Sequence, residues 1–309
     1  MRPPLRQLEY FLAVADHGAF GPAAEALAVT QPSLSKQIAV LEDELGLSLF
    51  ERTSRTVRLT RAGEALLDEA RGVLDQARAF KEAAWRLRAD KGLRMRAGVL
   101  PSIGAYFMPR VRERLKRSFP DLGLSLVEGA SRELLEQLAG GDLDFVVASR
   151  ADRSGLVSKP LFEETLWICS AGDDPLMVGE SPIGIETLAG RTLLSLGPEF
   201  HLTAIAAQIA ALAGAQMSEE YRGVSLDAIR QMAVAGAGVA VLPSLYALGE
   251  AVRDPAFRVR RIDHPAAKHP VFLYWRRSSR EPELFERLAA EMIDEKLAIR
   301  AERAAKFQI

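Results

Sequence analysis

A chain of 309 residues with 48% hydrophobic side chains has enough apolar content for more than one core, and its length allows two domains around a smaller one. The 40 basic residues against 41 acidic ones give a net charge of −1, which excludes a globally basic polyanion binder, so any affinity for nucleic acid has to come from local placement. No apolar run is long enough to span a bilayer and the opening MRPPLRQLEY lacks the apolar core of a signal peptide, so a cytoplasmic protein with no membrane partner is expected.

The first predicted element is a helix over LRQLEYFLAVADHG, with Leu5, Leu8, Phe11, Leu12 and Ala15 at helical spacing. GAFGPAAEALAVT follows as a short alanine-rich helix whose Ala23, Ala24 and Leu27 let a neighbour cross closely. In VTQPSLSKQIAVLEDELG, the stripe Leu34, Ile38, Leu41 and Leu45 defines a third helix. Thr30 is its N-cap, and Pro32 belongs in the first turn, where a missing N–H costs no helical bond. The outer face opens with Gln31, Pro32, Ser33, Ser35 and Lys36 and ends acidic at Glu42, Asp43 and Glu44. A polyanion would meet only the first turns, as it meets a recognition helix in the major groove. Three such helices make a helix-turn-helix unit, although a small bundle with no DNA role has the same pattern.

In LSLFERTSRTVRLTRAGEALL, Arg52, Arg55, Arg58 and Arg61 recur every three residues, and Val57-Arg58-Leu59-Thr60 alternates as a short strand. The pattern predicts a β-wing with arginines at its tip, whose charged donor forks suit phosphate and minor-groove contact. The ungapped stretch LEYFLAVADHGAFGPAAEALAVTQPSLSKQIAVLEDELGLSLFERTSRTVRLTRAGEALL, roughly a fifth of the chain, resembles the winged helix-turn-helix of LysR-type transcriptional regulators. The resemblance implies a double-stranded DNA operator, with Gln31 and Ser33 at base edges and Lys36 at a phosphate or base edge. Pro32 and Ser35 complete the helix set, and Arg52, Arg55 and Arg58 form the wing set.

Arg61 to Asp90 contains no proline and is predicted as one long helix. Leu66, Val73, Phe80 and Leu87 repeat every seven residues, and Gly63, Ala70, Ala77 and Ala84 repeat three positions earlier. This small-against-large patterning predicts a coiled-coil seam between two chains, the alternative being a helix packed on its own domain. LysR-type proteins join their domains through a dimerising helix of this kind, which implies a homodimer or a homotetramer built as a dimer of dimers.

Beyond Gly92 the apolar segments MRAGVL, LSLVE, FVVAS, LWICS, TLLSL, GVAVLP and HPVFLYW alternate with helical stretches, which argues for α/β units, and a final helix runs from about Glu283 toward Lys306. The expected fold is α/β with an all-α, winged N-terminal domain. Residues 1–60 form the winged helix-turn-helix, 61–91 the linker and dimerisation helix, and 92–309 an effector-binding domain. That last region resembles the two-subdomain, periplasmic-binding-protein-like sensor of the LysR family, with subdomain I at about 92–163 and 267–309 and subdomain II at about 164–266. The chain is expected to cross between halves near Leu161 to Thr165 and to return near Ala266 to Lys268.

Ser102 and Ser131 each follow a strand and start a helix, so they are either simple N-caps or donors at two helix N-termini that attract an anion. The resemblance places them, with Ile103, where LysR-type sensors contact small-molecule effectors. Within the family the likeness is to the peroxide-sensing branch, in LPSIGAYFMPRV, LLEQLAGGDLDFVV and SLDAIRQMAVAGAGVAVLP. On that branch LLSLGPEFHLTAIAAQIA would put His201 in place of the peroxide-reactive cysteine and Ala210 in place of its disulfide partner, with Phe200, Thr203 and Tyr221 as neighbours. His201 is either a donor to an acidic effector or a structural residue. The only cysteine, Cys169, lies in an apolar strand as a buried inert thiol, and one cysteine cannot form a disulfide within the chain.

His17, His264 and His269 lie far from His201 in sequence and give no metal-ligand spacing. GAGVA at Gly236 to Ala240 follows a helix and precedes a strand, the reverse of the dinucleotide-binding order. No G-x-S-x-G elbow or carboxylate pair points to catalysis, so no cofactor, metal or enzymatic activity is expected. The sequence thus predicts a transcriptional regulator tuned by a small anionic effector, with RNA polymerase as a further candidate partner. The alternative is an α/β enzyme or small-molecule-binding protein with an N-terminal helical appendage.

Overall fold

Helically spaced apolar residues form α1 (Leu5–His17), α2 (Phe20–Ala26) and α3 (Gln31–Leu45) in the computed structural model, which describes residues 4–52, 57–88, 94–179, 182–254 and 257–307. The chain divides into two compact units, Met1–Leu87 and Arg88–Ile309. In the first, Leu34, Ile38 and Leu41 are fully buried among Phe11, Val14, Phe20 and Ala23, each buried aliphatic contributing about 1.5–3 kcal/mol. Thr30 caps α3 by accepting the Ser33 N–H at 3.4 Å, and Gly46 ends it in the left-handed region at φ +66°. The turn before α3 places Ala28 at φ +53°, a conformation that costs a residue with a Cβ.

The wing follows as an antiparallel pair, β1 (Phe50–Arg52) and β2 (Val57–Leu59), with Phe50 opposite Leu59 and Glu51 opposite Arg58. The Phe50 ring packs edge-on against Phe11 at 5.5 Å and Phe20 at 5.9 Å, fixing the wing to the helices. Helix α4 (Arg61–Arg88) then begins under a Thr60 cap, whose hydroxyl accepts the Gly63 N–H at 3.0 Å. Gly63 is required there, because a Cβ would stand 2.2 Å from the Leu49 carbonyl oxygen. Ala70 and Leu74 are buried in the same core. Gly63 and Ala70, expected on a seam between chains, are therefore spent on packing α4 against its own unit; small residues permit close approach but do not choose the neighbour.

The second unit runs β3 (Arg94–Val99), α5 (Pro101–Tyr106), α6 (Met108–Ser118), β4 (Gly123–Glu128), α7 (Ser131–Gly140), β5 (Phe145–Ser149) and the 14-residue β6 (Leu156–Cys169). It continues through β7 (Thr192–Leu194), α8 (His201–Ala213), β8 (Gln216–Met217), α9 (Leu226–Val234), β9 (Val239–Pro243), α10 (Ser244–Arg253), β10 (Arg260–Arg261), β11 (Lys268–Arg276) and α11 (Pro282–Phe307). The nine strands order as β4-β3-β5-β11-β6-β9-β7-β8, with β10 on β6. β3 is parallel to β4 and β5, and β7 is parallel to β8 and β9.

Strand β6 belongs to both halves. Its residues up to Thr165 pair with β11, and Leu166 to Cys169 pair with β9. One core, including Val99, Phe107, Phe145 and Leu273, sits on the first side of this change, and another, including Ile168, Leu193, Ile209 and Val241, on the second. Among the described residues no helix is long and apolar enough to cross a membrane.

Candidate functional site

On α3 the residues nominated from sequence separate by burial. Gln31, Pro32, Ser33 and Lys36 are exposed and Ser35 is half-buried, while the stripe beneath them is closed to solvent. The acidic end of the helix has a structural use that sequence pattern missed: Glu42 Oε1 accepts the N–H groups of Leu49 at 2.7 Å and Phe50 at 3.1 Å, tying α3 to the start of the wing. Arg58 is exposed on β2, Arg52 ends β1, and Arg55 lies outside the described residues. On α4, Leu66 packs partly against the helical core, Val73 is 47% exposed, Phe80 is 77% exposed, and Leu87 falls on the last turn.

The second unit holds a pocket at the carboxyl ends of β3 and β5, bordered from the other half by the start of α8. It encloses about 280 Å3 of empty space including its open mouth. Ser102, Ser149, His201 and His269 supply its polar surface, and Leu100, Leu196, Phe200, Leu226 and Pro243 are among its apolar walls. Phe200, His201 and Leu202, the cap and first residues of α8, all line it, so the free N–H end of that helix borders the space.

His201 and His269, distant in sequence, have ring centroids 5.9 Å apart. Burial, with a smaller contribution from His269, holds the His201 imidazole below its ordinary pKa and keeps it neutral at neutral pH. His269 Nε2 is 2.7 Å from Ser149 Oγ, and its Nδ1 faces Glu164 Oε2 at 3.6 Å. Glu164 is fully buried on β6, directly opposite His269 on β11. Its Oε1 accepts from the Ser244 hydroxyl at 3.2 Å and the Leu245 N–H at 2.8 Å. Burial pushes the Glu164 carboxyl up, but His269, the nearby Lys296 and the Leu245 N–H outweigh it and leave the group below the usual carboxylate range. Lys296 is itself lowered by burial, and Glu164 offsets part of that.

The other nominated residues lie apart from the pocket lining. Ser131 Oγ accepts the Ser149 N–H at 3.3 Å, so it supports a pocket residue. Ile103 is fully buried in the first core. Thr203 donates to the Leu196 carbonyl at 2.8 Å, and the Tyr221 hydroxyl exchanges hydrogen bonds with the backbone of Ser225. Ser149, His269 and Glu164 were missed by sequence reasoning; the one available signal was an acidic residue inside the apolar run LFEETLWICS. Cys169 is fully buried, and burial pushes its thiol up to about 12, so almost no thiolate exists near neutral pH.

Comparison with known proteins matches residues 5–64 to the bacterial regulatory helix-turn-helix protein of the lysR family and residues 89–296 to the LysR substrate binding domain. The chain is 36% identical over 286 residues to the DNA-binding transcriptional dual regulator OxyR of Escherichia coli K12, covering 92% of this chain and 93% of that protein. It is 35% identical over 291 residues to the hydrogen peroxide-inducible genes activator of Dickeya chrysanthemi, covering 92% and 93%. A solved full-length OxyR variant from Pseudomonas aeruginosa superposes with a TM-score of 0.60 at 31% identity, covering 94% of this chain and 95% of that one. A reading helix, a wing and a pocketed two-half domain, matched over nearly their whole length, place this chain in the LysR family: it is a DNA-binding transcriptional regulator with an effector-binding domain, and not an enzyme.

Proposed function

We propose that the regulator binds operator DNA through Gln31, Ser33 and Lys36, pairs with a second copy along α4, and is tuned by a small anionic effector. The observation that carries the effector class is the first turn of α8, with His201, opening onto a pocket that also holds the Ser102 hydroxyl. A helix N-terminus and nearby hydroxyl and imidazole donors favour an anion. Ser131 enters this reading through Ser149, and Ile103, Thr203 and Tyr221 as surrounding structure.

The related regulators named for hydrogen peroxide supply a second reading. It would have to act through Cys169, because the sequence holds no other cysteine, and that thiol is buried. The discriminating experiment is calorimetry of the full-length protein against acetate, pyruvate and oxalate, with operator binding measured alongside in peroxide. Each charge-assisted hydrogen bond contributes about 1.5–3 kcal/mol, so Ser102→Ala or His201→Ala should weaken anion binding about tenfold or more and leave effector-free operator binding unchanged. Failure of all three anions to bind, with peroxide altering operator occupancy unless Cys169 is replaced, would reject this reading.

A further inference from the structure

Two buried atoms behind the pocket make no hydrogen bond: Nδ1 of His269 and Oε2 of Glu164, which face each other at 3.6 Å. Both side chains are closed to solvent, His269 at 2% exposure and Glu164 at 0%. Unmade bonds between buried polar groups are costly, and these two atoms would satisfy each other if Nδ1 carried a proton and moved closer. The opposite ring nitrogen is already engaged with the hydroxyl of Ser149, a pocket-lining residue. One imidazole thus stands between a buried carboxylate and the hydroxyl of a pocket-lining serine.

The protonation state of that imidazole fixes the polarity of the hydroxyl. With Nδ1 alone protonated, Nε2 is an acceptor, the Ser149 O–H donates to it, and the pocket is left with oxygen lone pairs. With both nitrogens protonated, Nε2–H donates to Ser149 Oγ and the serine proton turns into the pocket. The first arrangement repels an anion and the second binds it. We propose that His269 is the positioning residue that makes the pocket specific for anions, taking up a proton as the effector binds and so turning Ser149 into a donor. The assignment rests on the anionic-effector reading above.

The surrounding charges favour His269 over its neighbour. Glu164, from β6, faces His269 Nδ1 at 3.6 Å, whereas the His201 imidazole, from α8, is lowered by burial and by His269. Lys296, from α11, competes for Glu164. Arg303, from the same helix, donates to the carbonyls of Ser244 and Leu245. Next along β11, Lys268 pairs with Glu163 at 2.9 Å on the surface. Two imidazoliums with centroids 5.9 Å apart repel, so one proton per site is the expected uptake.

The test is calorimetry of the full-length protein with acetate, pyruvate and oxalate in two buffers of different ionisation heat, from about pH 6 to about pH 8. The expected result is uptake of about one proton, with affinity falling by up to about tenfold per pH unit as pH rises across this range. His269→Gln, whose amide donates to Ser149 at any pH, should bind with a flat pH profile and no uptake. His201→Gln should keep both uptake and profile. Ser149→Ala, a second variant that leaves the histidine in place, should lose at least tenfold in affinity together with the pH dependence. Anion binding to the unaltered protein without proton uptake overturns the assignment while sparing the anionic-effector reading. Uptake that vanishes with His201→Gln but survives His269→Gln overturns it as well. If none of the three anions binds, the parent reading and this assignment fall together.

Discussion

Replacing Phe80 with aspartate tests whether α4 is the surface that joins two chains. The side chain is 77% exposed in its own unit, and Val73, one heptad earlier, is 47% exposed. A phenylalanine offers about 150–250 Å2, so covering the exposed fraction removes on the order of 150 Å2 from water, or about 4 kcal/mol at ~25 cal/mol/Å2. Not all of that appears as affinity, because association also costs translational freedom and side-chain ordering. A carboxylate at this position forfeits the area and strands an unpaired charge in the seam, which adds several kcal/mol of penalty. The dimer should weaken by at least about 4 kcal/mol, roughly a thousandfold in dissociation constant. Sedimentation velocity should then show monomers at concentrations where the unaltered protein is dimeric, and binding to an operator with two half-sites should be lost. Phe80 makes little use of its own unit, so thermal stability of the monomer should shift by no more than about 0.5 kcal/mol. A variant that stays fully dimeric would refute the assignment and leave α4 as a helix whose packing is satisfied within one chain.

Gln31→Ala and Ser33→Ala should each cost roughly 1–3 kcal/mol in operator affinity and relax specificity at one base pair, as read by competition footprinting, whereas Arg55→Ala should weaken all sequences alike and flatten the log-affinity against log-salt plot by up to about one unit. Unchanged footprints in both helix variants would remove α3 from the groove. Ala28→Gly should stabilise the first unit by about 0.5–1 kcal/mol in urea unfolding, since it relieves roughly 1–2 kcal/mol of left-handed strain at φ +53° and gives back part of that in unfolded-chain entropy. A decrease in stability would mean that the alanine methyl makes a packing contribution larger than the strain.

Sequence by itself determined what local rules decide. The stripe Leu34, Ile38 and Leu41, the Thr30 cap and the in-turn Pro32 specify α3 without reference to the rest of the chain, because capping and helical spacing act over a few residues. The strands of the second unit were legible for the same reason, as apolar runs bounded by turns, and the missing second cysteine could be read directly. The tertiary structure alone decided which residues meet. His201 and His269 come together because β11 returns across the sheet to pair with both β5 and β6, a long-range choice that no local spacing encodes. The same register sets Glu164 opposite His269 and buries a carboxylate that the sequence shows only as one of two adjacent glutamates. Ser131 and Ser102 looked alike as serines at helix starts; the fold gives one of them to the pocket and the other to the Ser149 backbone. Gly63 and Ala70 were legible as small, but small residues fit any close neighbour, and only the packed core shows that theirs belongs to the same chain.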